Sequence, residues 1–534
     1  MNFNKVFYVS VALIFANLTV TAQNNVLMSI GNVDQLPTRV SKLSEEDLKR
    51  WSHLDIINDT IPGMSVDRAY AEIIKDKIGK KVIVAVIDSG VEIDHEDLKP
   101  QIYINVNEVV NGKDDDNNGK IDDINGWNFL GKSSDENLEL TRIVKRGDTK
   151  SDNYKRAKSE LDSKLKELEP LKKQLEFLDK PNNILVAYLK KDEYTLEDLN
   201  AIPNSAPSYV MEAKNIMFSF LYSGYDLSYI KKFKEYVTSQ QDANLNVNFD
   251  GRALVGDNPY DINDTNYGDN DVLGNRDHAM HGTHVSGIIA QTKNNGLGGD
   301  GVASEVAVIM PIRAVPNGDE YDKDIALAIR YAVDNGAKVI NGSFSKSFAQ
   351  NPEWVEDAIK YAASKDVLIV VGAGNDGIDL NPKSKKEIER YPNDRNLNSK
   401  TEFADNFIVV GALNPTFGKE MVAEFSNFGS IDVDVFAPGV QIYSTVPYGK
   451  YAFEDGTSMA SPNVAGVAAL IRAYYPHLSA AQVKKIILDS GVTFNQKVVI
   501  AGNPNDTRNF KELSTSGKFV NAYNALLMAE KMSK

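Results

Sequence analysis

Five stretches of this chain are apolar without alternation: Val82–Ile87, Val306–Ile312, Lys338–Asn341, Val367–Val371 and Phe407–Ala412. A short run of that kind, rich in Val and Ile, reads as a strand buried on both faces. Helical patterns fall between the runs, at Asp322–Asn335 and Pro352–Ser364. This alternation predicts an α/β fold: a parallel sheet with helices on both faces. A further segment, Ala460 to Ile471, is apolar or small on nearly every side and should lie deep inside a large domain. Pro462 falls in its first turn, where a missing N–H costs little.

Three polar residues stand where such elements begin or end. Ser458, in Gly456-Thr-Ser-Met-Ala-Ser-Pro462, opens the buried helix beside free backbone N–H groups and the positive end of the helix dipole. That setting suits an anionic tetrahedral intermediate; a lone serine there would be an ordinary N-cap. Asp88 ends the Val82–Ile87 run, where open α/β sheets build their sites. Alone it would cap a turn with Gly90. His281, in His281-Gly-Thr-His-Val-Ser-Gly-Ile-Ile-Ala290, enters a helix of small residues. Carboxylate, imidazole and hydroxyl are the orienter, base and nucleophile of acyl transfer. His278, His281 and His284 also repeat every third residue, which suggests zinc. Gly282 and Gly287 are expected to interrupt that helix, and no His-Glu-x-x-His pattern supplies a base, so zinc is set aside.

Val86-Ile-Asp88-Ser-Gly90, His281-Gly-Thr-His-Val285, Val371-Gly-Ala-Gly-Asn375 and Gly456-Thr-Ser458-Met-Ala-Ser-Pro462, in that order, resemble the subtilisin-like serine proteases, or subtilases. The resemblance covers roughly Trp51–Gly131 and Asp250–Met532. It implies a serine endopeptidase in which Asp88, His281 and Ser458 form the triad. Asn375 and the Ser458 N–H would then hold the oxyanion, with His284 structural and His278 a loop residue. It also implies a peptide cleft lined by Ser343, Phe344 and Ser345 on one wall and Gly372, Ala373 and Gly374 on the other. Ser345 departs from the pattern, which has glycine there, and this bears on the first specificity pocket. The rival reading is a catalytically inactive relative kept for binding.

The spacing from Asp88 to His281 is far longer than in compact subtilases, and the excess lies between Lys132 and Asn248. There Leu161, Leu165, Leu168, Leu171, Leu175 and Leu178 recur at steps of three and four in a Lys/Glu-rich setting, a helical stripe. Pro170 is expected to break or kink it. A second helical block, Ser208–Phe218 and Leu227–Gln240, is expected to fold back on the first. The expected division is a signal peptide at 1–22, a first catalytic part at 23–131, a helical insertion at 132–248 and the remaining catalytic part at 249–534. The insertion would stand beside the active-site rim as structure, or serve as a lid, a partner-docking arm or a contact with a second copy.

Just before it, Asp114-Asp-Asp-Asn-Asn-Gly-Lys-Ile-Asp-Asp-Ile-Asn125 has EF-hand-like spacing. Asp114, Asp116 and Asn118 would offer side-chain oxygens, the Lys120 carbonyl and Asp122 would follow, and Gly119 stands at the turn. Position twelve is Asn125 rather than a bidentate Glu. A structural calcium ion is expected there. The acidic stretch Asp257–Asp271 shows no spacing that singles out ligands.

Composition narrows the setting. Lys5 followed by the apolar Val6–Val20 and then Thr21 and Ala22 predicts a signal peptide and a secreted or periplasmic protein; no stable membrane span is expected. With no cysteine the fold is held without disulfides, and a core this large can bury enough surface without them. A formal charge of −15 argues against nucleic acid and leaves proteins or peptides as substrates. Only about sixty residues separate the signal segment from the first catalytic strand, so a large propeptide is expected to be absent.

Overall fold

The computed structural model describes residues 29–39, 42–381, 390–396 and 401–534. The expected signal peptide lies outside them. Helices α1 (Glu45–Arg50), α2 (Ile56–Asp59) and α3 (Val66–Ala69) precede strand β1 (Val82–Asp88) and the short β2 (Trp127–Asn128). Five helices follow: α4 (Glu139–Arg146), α5 (Asp152–Leu189), α6 (Leu196–Ala201), α7 (Ser208–Tyr222) and α8 (Leu227–Ser239). Then come α9 (Met280–Ala290), β3 (Ala307–Arg313), α10 (Asp322–Asp334), β4 (Val339–Gly342), α11 (Pro352–Ser364), β5 (Leu368–Gly372), β6 (Phe407–Leu413) and β7 (Val435–Pro438). The hairpin β8 (Ile442–Val446) and β9 (Lys450–Glu454) leads into α12 (Thr457–Tyr474) and α13 (Ala480–Ser490). Short β10 (Val492–Thr493), the pair β11 (Lys497–Ile500) and β12 (Asn503–Asn509), β13 (Lys518–Phe519) and α14 (Ala522–Met532) complete the order.

The main sheet has nine strands in the order β10-β13-β7-β6-β5-β4-β1-β3-β2. All pairings are parallel except β10 with β13. Every residue of β5 and β6 is buried, so helices cover both faces and the unalternating runs are explained. The buried helix α12 packs on α9 and across β4, β5, β6 and β7. From β1 the chain builds β3 on one side and β4 on the other, so Asp88 ends its strand where the order reverses. Register pairs Ile87 with Gly342 and Gly342 with Val371, which brings Asp88, Ser343 and Gly372 to one level at the carboxyl edge.

Two expectations about helix breaks fail. Helix α5 runs unbroken through Pro170 and Pro181. Pro170 and Lys166, whose carbonyl it leaves without an N–H, are both exposed, so water satisfies the gap. Of the leucine stripe, Leu161, Leu168 and Leu178 are buried, whereas Leu165 is 40 % exposed. Helix α9 likewise continues through Gly282 and Gly287. There glycine serves close packing: a Cβ on Gly282 would lie 2.3 Å from the Gly90 carbonyl oxygen, and one on Gly287 would lie 2.2 Å from Ser444 Oγ.

Helices α4 to α8 carry two small cores of their own. One holds Leu178, Leu185, Leu199, Val210, Met217 and Ile230. The other joins Leu140, Ile143, Leu161, Leu168 and Val237 to Phe348, which follows β4 in the catalytic part. A charged cluster fastens the same junction. Glu139 is 2 % exposed and accepts from Arg142, from Lys346 Nζ at 3.0 Å and from Gln350 Nε2 at 2.6 Å. Among the described residues, no helix is long and apolar enough to cross a membrane.

Candidate active site

The Asp88 carboxylate is 1 % exposed; its Oδ1 accepts from the Ser89 N–H and from His281 Nδ1, each at 2.7 Å. Among the described residues its Oδ2 has no hydrogen-bond partner, and His281 is the one side chain that answers this charge by hydrogen bonding. Such a contact selects the tautomer with hydrogen on Nδ1 and leaves Nε2 as the base. Burial pushes the imidazole pKa down, but the charge and hydrogen bond of Asp88 outweigh it, and Glu454 adds to them. The net direction is upward, moderated by solvent because the ring is 34 % exposed. Glu454, at the end of β9, has its own pKa raised by burial, with Lys232 of α8 acting against that rise.

Ser458 is the second residue of α12, so Pro462 is its sixth and lies inside the helix, not in the first turn as expected. The Ser458 carbonyl that Pro462 leaves without an N–H accepts from the Ser343 hydroxyl instead, at 2.8 Å. The Ser458 hydroxyl donates to the Ser343 carbonyl at 3.2 Å. The Asn375 side-chain oxygen accepts from both the N–H and the hydroxyl of Thr457, each at 2.9 Å. That fixes the amide so that its NH₂ faces the start of α12. A methyl group on Gly456 would lie 3.5 Å from both Asn375 Nδ2 and Ser458 N, so the two nitrogens border one point beside Gly456. Thr457 was quoted within its motif without a role; it also accepts from the Gly374 N–H at 3.0 Å, tying together all three parts.

Ser458, Asn375, Phe344, Ser345, Gly372 and Gly374 line one cavity of about 350 Å³. Ala373, buried, sits behind this wall and donates to Val410. Arg390, ion-paired with Asp376, closes part of it. Its Nε lies 3.5 Å from where a Gly374 side chain would begin, and Ser345 Oγ lies 3.3 Å from the same point. The hydroxyl that replaces the pattern's glycine and this guanidinium thus both border Gly374. The far wall comes from the helical segment: Leu138, Leu140, Glu160 and Lys164. A second, larger cavity of about 1020 Å³ holds Asp88, His281 and Ser343, and residues 234–244 of α8 and its extension provide much of its wall. Sequence reading missed these contributors because no local pattern ties 138–164 or 234–244 to Ser458.

The ring of His284 and the backbone of His278 each have a structural partner. His284 is buried, with Nε2 at 3.0 Å from the Ile442 carbonyl and 3.2 Å from that of Ala452, and burial lowers its pKa to about 4. The His278 carbonyl accepts from the Ser89 hydroxyl at 2.8 Å.

In the acidic loop the converging carboxylates differ from the spacing's choice. Oxygens of Glu108, Asp116 and Asp123 lie within 4.8 Å of one another. Asp114 instead accepts from the backbone of Asn118 and Gly119, and Asp122, turned by a φ of 54°, accepts from Asn111 and Gly112. Asn118 Oδ1 accepts from the Lys120 N–H, and the Lys120 ammonium points inward to the Thr265 carbonyl. Asp114 and Asp122 thus hold backbone N–H groups of the loop turn, whereas Glu108, Asp116 and Asp123 converge.

The subtilase family model matches residues 79–510, which contain all four motifs. The chain belongs to the subtilase family. It is 39 % identical to the thermophilic serine proteinase of Bacillus sp. strain AK1 over 42 % of this chain and 47 % of that protein. Subtilisin DY of Bacillus licheniformis is 35 % identical over 39 % of this chain and 69 % of its own length. Thermitase of Thermoactinomyces vulgaris is 38 % identical over 36 % and 60 %. The subtilase thus spans about half the length of the first of these relatives and about two thirds of the second.

Proposed function

We propose that this subtilase is a secreted serine endopeptidase working through Asp88, His281, Ser458 and Asn375. The 2.7 Å contact between Asp88 and His281, with Asn375 Nδ2 and Ser458 N bordering one point beside Gly456, supports this above all. In this mechanism the Ser458 hydroxyl leaves the Ser343 carbonyl and donates to His281 Nε2. Nε2 takes the proton as Oγ adds to the peptide carbonyl, and Asn375 and the Ser458 N–H bind the resulting oxyanion. The C–N bond then breaks as His281 returns the proton to the amine. Water, activated by the same imidazole, releases the acyl group and restores Ser458. Residues 343–345 and 372–374 would pair with the substrate backbone as edge strands. The division at 132 and 248 belongs to the same proposal, supported by the separate small cores, as does export through residues 1–22.

Labelling by a fluorophosphonate probe tests the nucleophile: the wild type should label, and Ser458→Ala should not. An unlabelled wild type would favour a binding protein.

Acidification should abolish activity as His281 gains a proton. Because Asp88 raises that pKa, the acid limb of kcat/KM should have its midpoint above imidazole's ordinary 6.5. The charged groups facing the ring are Asp88 and Glu454, with Lys232 acting on the latter. A midpoint at or below 6.5, with chemistry rate-limiting, would remove Asp88 from this role.

We further propose that calcium steadies the 105–125 loop, with Asp116 beside Glu108 and Asp123 as its holders and charge neutralisation as its contribution. These carboxylates already accept backbone or side-chain donors, for example Asp116 N–H to Glu108 and Tyr331 O–H to Asp123, so an ion would share them. Chelation with EDTA should lower the melting temperature, since an ion at a hundred times its Kd adds about 2.7 kcal/mol. An unchanged melt would reject the site.

A further inference from the structure

Helix α8 and the end of α7 present aromatic rings to solvent: Tyr222 is 77 % exposed, Tyr225 52 %, Tyr229 39 % and Tyr236 52 %. The rings form a row. Phe220 lies 5.1 Å from Tyr225, Tyr225 5.2 Å from Tyr229, and Tyr229 5.9 Å from Phe233. The exposed tyrosines lie outside the core of Leu178, Leu185, Met217 and Ile230 that α5, α7 and α8 share, whereas Phe220 and Phe233 are partly buried and pack against the helical cores. A contiguous exposed apolar surface on a folded protein marks a contact surface. Tyrosine suits it, offering a large rigid face with a polar edge.

The row has a direction. At its far end Tyr236 lines the cavity that contains His281 and Asp88. Tyr229, Phe233 and Tyr236 follow helical steps of four and three, so they share one side of α8. We propose that this aromatic face is a docking surface for the substrate itself: an extended, unfolded polypeptide whose apolar side chains lie along α8 beyond the catalytic cleft. Continuity decides the occupant, because a chain leaving the His281 cavity past Tyr236 follows the same side of α8 to Phe233 and Tyr229. From Tyr236 to Tyr229 is about 10 Å of helix, or roughly three residues of extended chain. Phe220 and Tyr225 carry the row further, so a tetrapeptide that fills the cleft would not reach its end. This inference rests on the protease reading, and the substrate it names is a long unfolded chain.

The test compares kcat/KM for a tetrapeptide p-nitroanilide and for unfolded casein, in wild type and in Tyr225→Ala/Tyr229→Ala. Expected is a roughly tenfold loss on casein, carried by KM, with the tetrapeptide rate and fluorophosphonate labelling unchanged. Tyr225→Ala alone, in the turn before α8, covers the case in which the double variant fails to fold, and Tyr225→Phe should restore the casein rate. Equal losses on both substrates, or none on either, would overturn the proposal. So would a wild type that self-associates through this face and a variant that does not. Should the wild type neither label nor cleave the tetrapeptide, the protease reading fails separately. Casein binding to Ser458→Ala protein, by fluorescence anisotropy, then decides: a Kd indifferent to Tyr225 and Tyr229 overturns the docking surface, and a tenfold weaker one upholds it.

Discussion

Ser458→Ala is expected to lower kcat for a peptide substrate by about 10⁶, with the protein still folded. The expected size is borrowed from subtilisin, the reference case for this kind of triad. Its physical origin lies in this chain's geometry. Removing Oγ deletes the nucleophile while His281 keeps its 2.7 Å contact with Asp88 and Asn375 keeps its two bonds to Thr457. What survives, about 10³–10⁴ over water, comes from the donors at Asn375 and Ser458 N and from binding alone. Because Ser458 is only partly buried and its hydroxyl's bond goes to the Ser343 carbonyl, the melting temperature should hardly move. Retained activity with casein or a tetrapeptide would remove Ser458 from the mechanism.

The second large effect concerns stability. Glu139→Ala should destabilise the fold by about 3–5 kcal/mol, the range for breaking a buried pair from one side. Arg142 and Lys346 are 3 % and 4 % exposed, and both lose their contact with this carboxylate. Lys346 keeps Asp322 at 2.8 Å, which places the expectation toward the lower end. Burial alone would raise the Glu139 pKa, but Arg142 and Lys346 overcome it and hold the group down, to about 2. The linked stability is therefore fully present above the ordinary 4.5 and is lost as the pH falls toward the folded-state value. Urea unfolding of both proteins at neutral pH measures the difference; a change below 1 kcal/mol would show the cluster to be dispensable. As contrast, Asp162→Ala at the exposed pair with Lys158 should change little. Since Lys346 also lines the Ser458 cavity, the Glu139 variant should lose activity before it unfolds.

The sequence by itself determined five strands of the buried sheet, β1 and β3 to β6, and not β2, β7, β10 or β13. Runs such as Leu368–Gly372 admit no exposed face, and local composition states that directly. It also determined the polar residues at the carboxyl edge, because a carboxylate or amide ending an apolar run is visible without any partner. Helices α10 and α11 were legible to within a residue for the same reason. Breaker residues were read wrongly, and for one reason. Pro170 and Gly282 have a local tendency against helix, but their outcome depends on what lies beside them: water at Lys166, and the Gly90 carbonyl at Gly282. Carboxylate spacing at 114–122 could not show that Glu108 and Asp123 converge with Asp116, because the turn that brings them together lies outside the spacing.

Only the tertiary structure decided what the long helical segment does. Glu160, Lys164 and Tyr236 are unremarkable in sequence, yet folding brings them to the walls beside Ser458 and His281. Docking of Phe348 into the small helical core and of Lys346 onto Glu139 sets that placement. Contacts between residues some two hundred positions apart leave no periodic trace in either segment, because each side satisfies its own local pattern. The pairing exists only once the two surfaces meet.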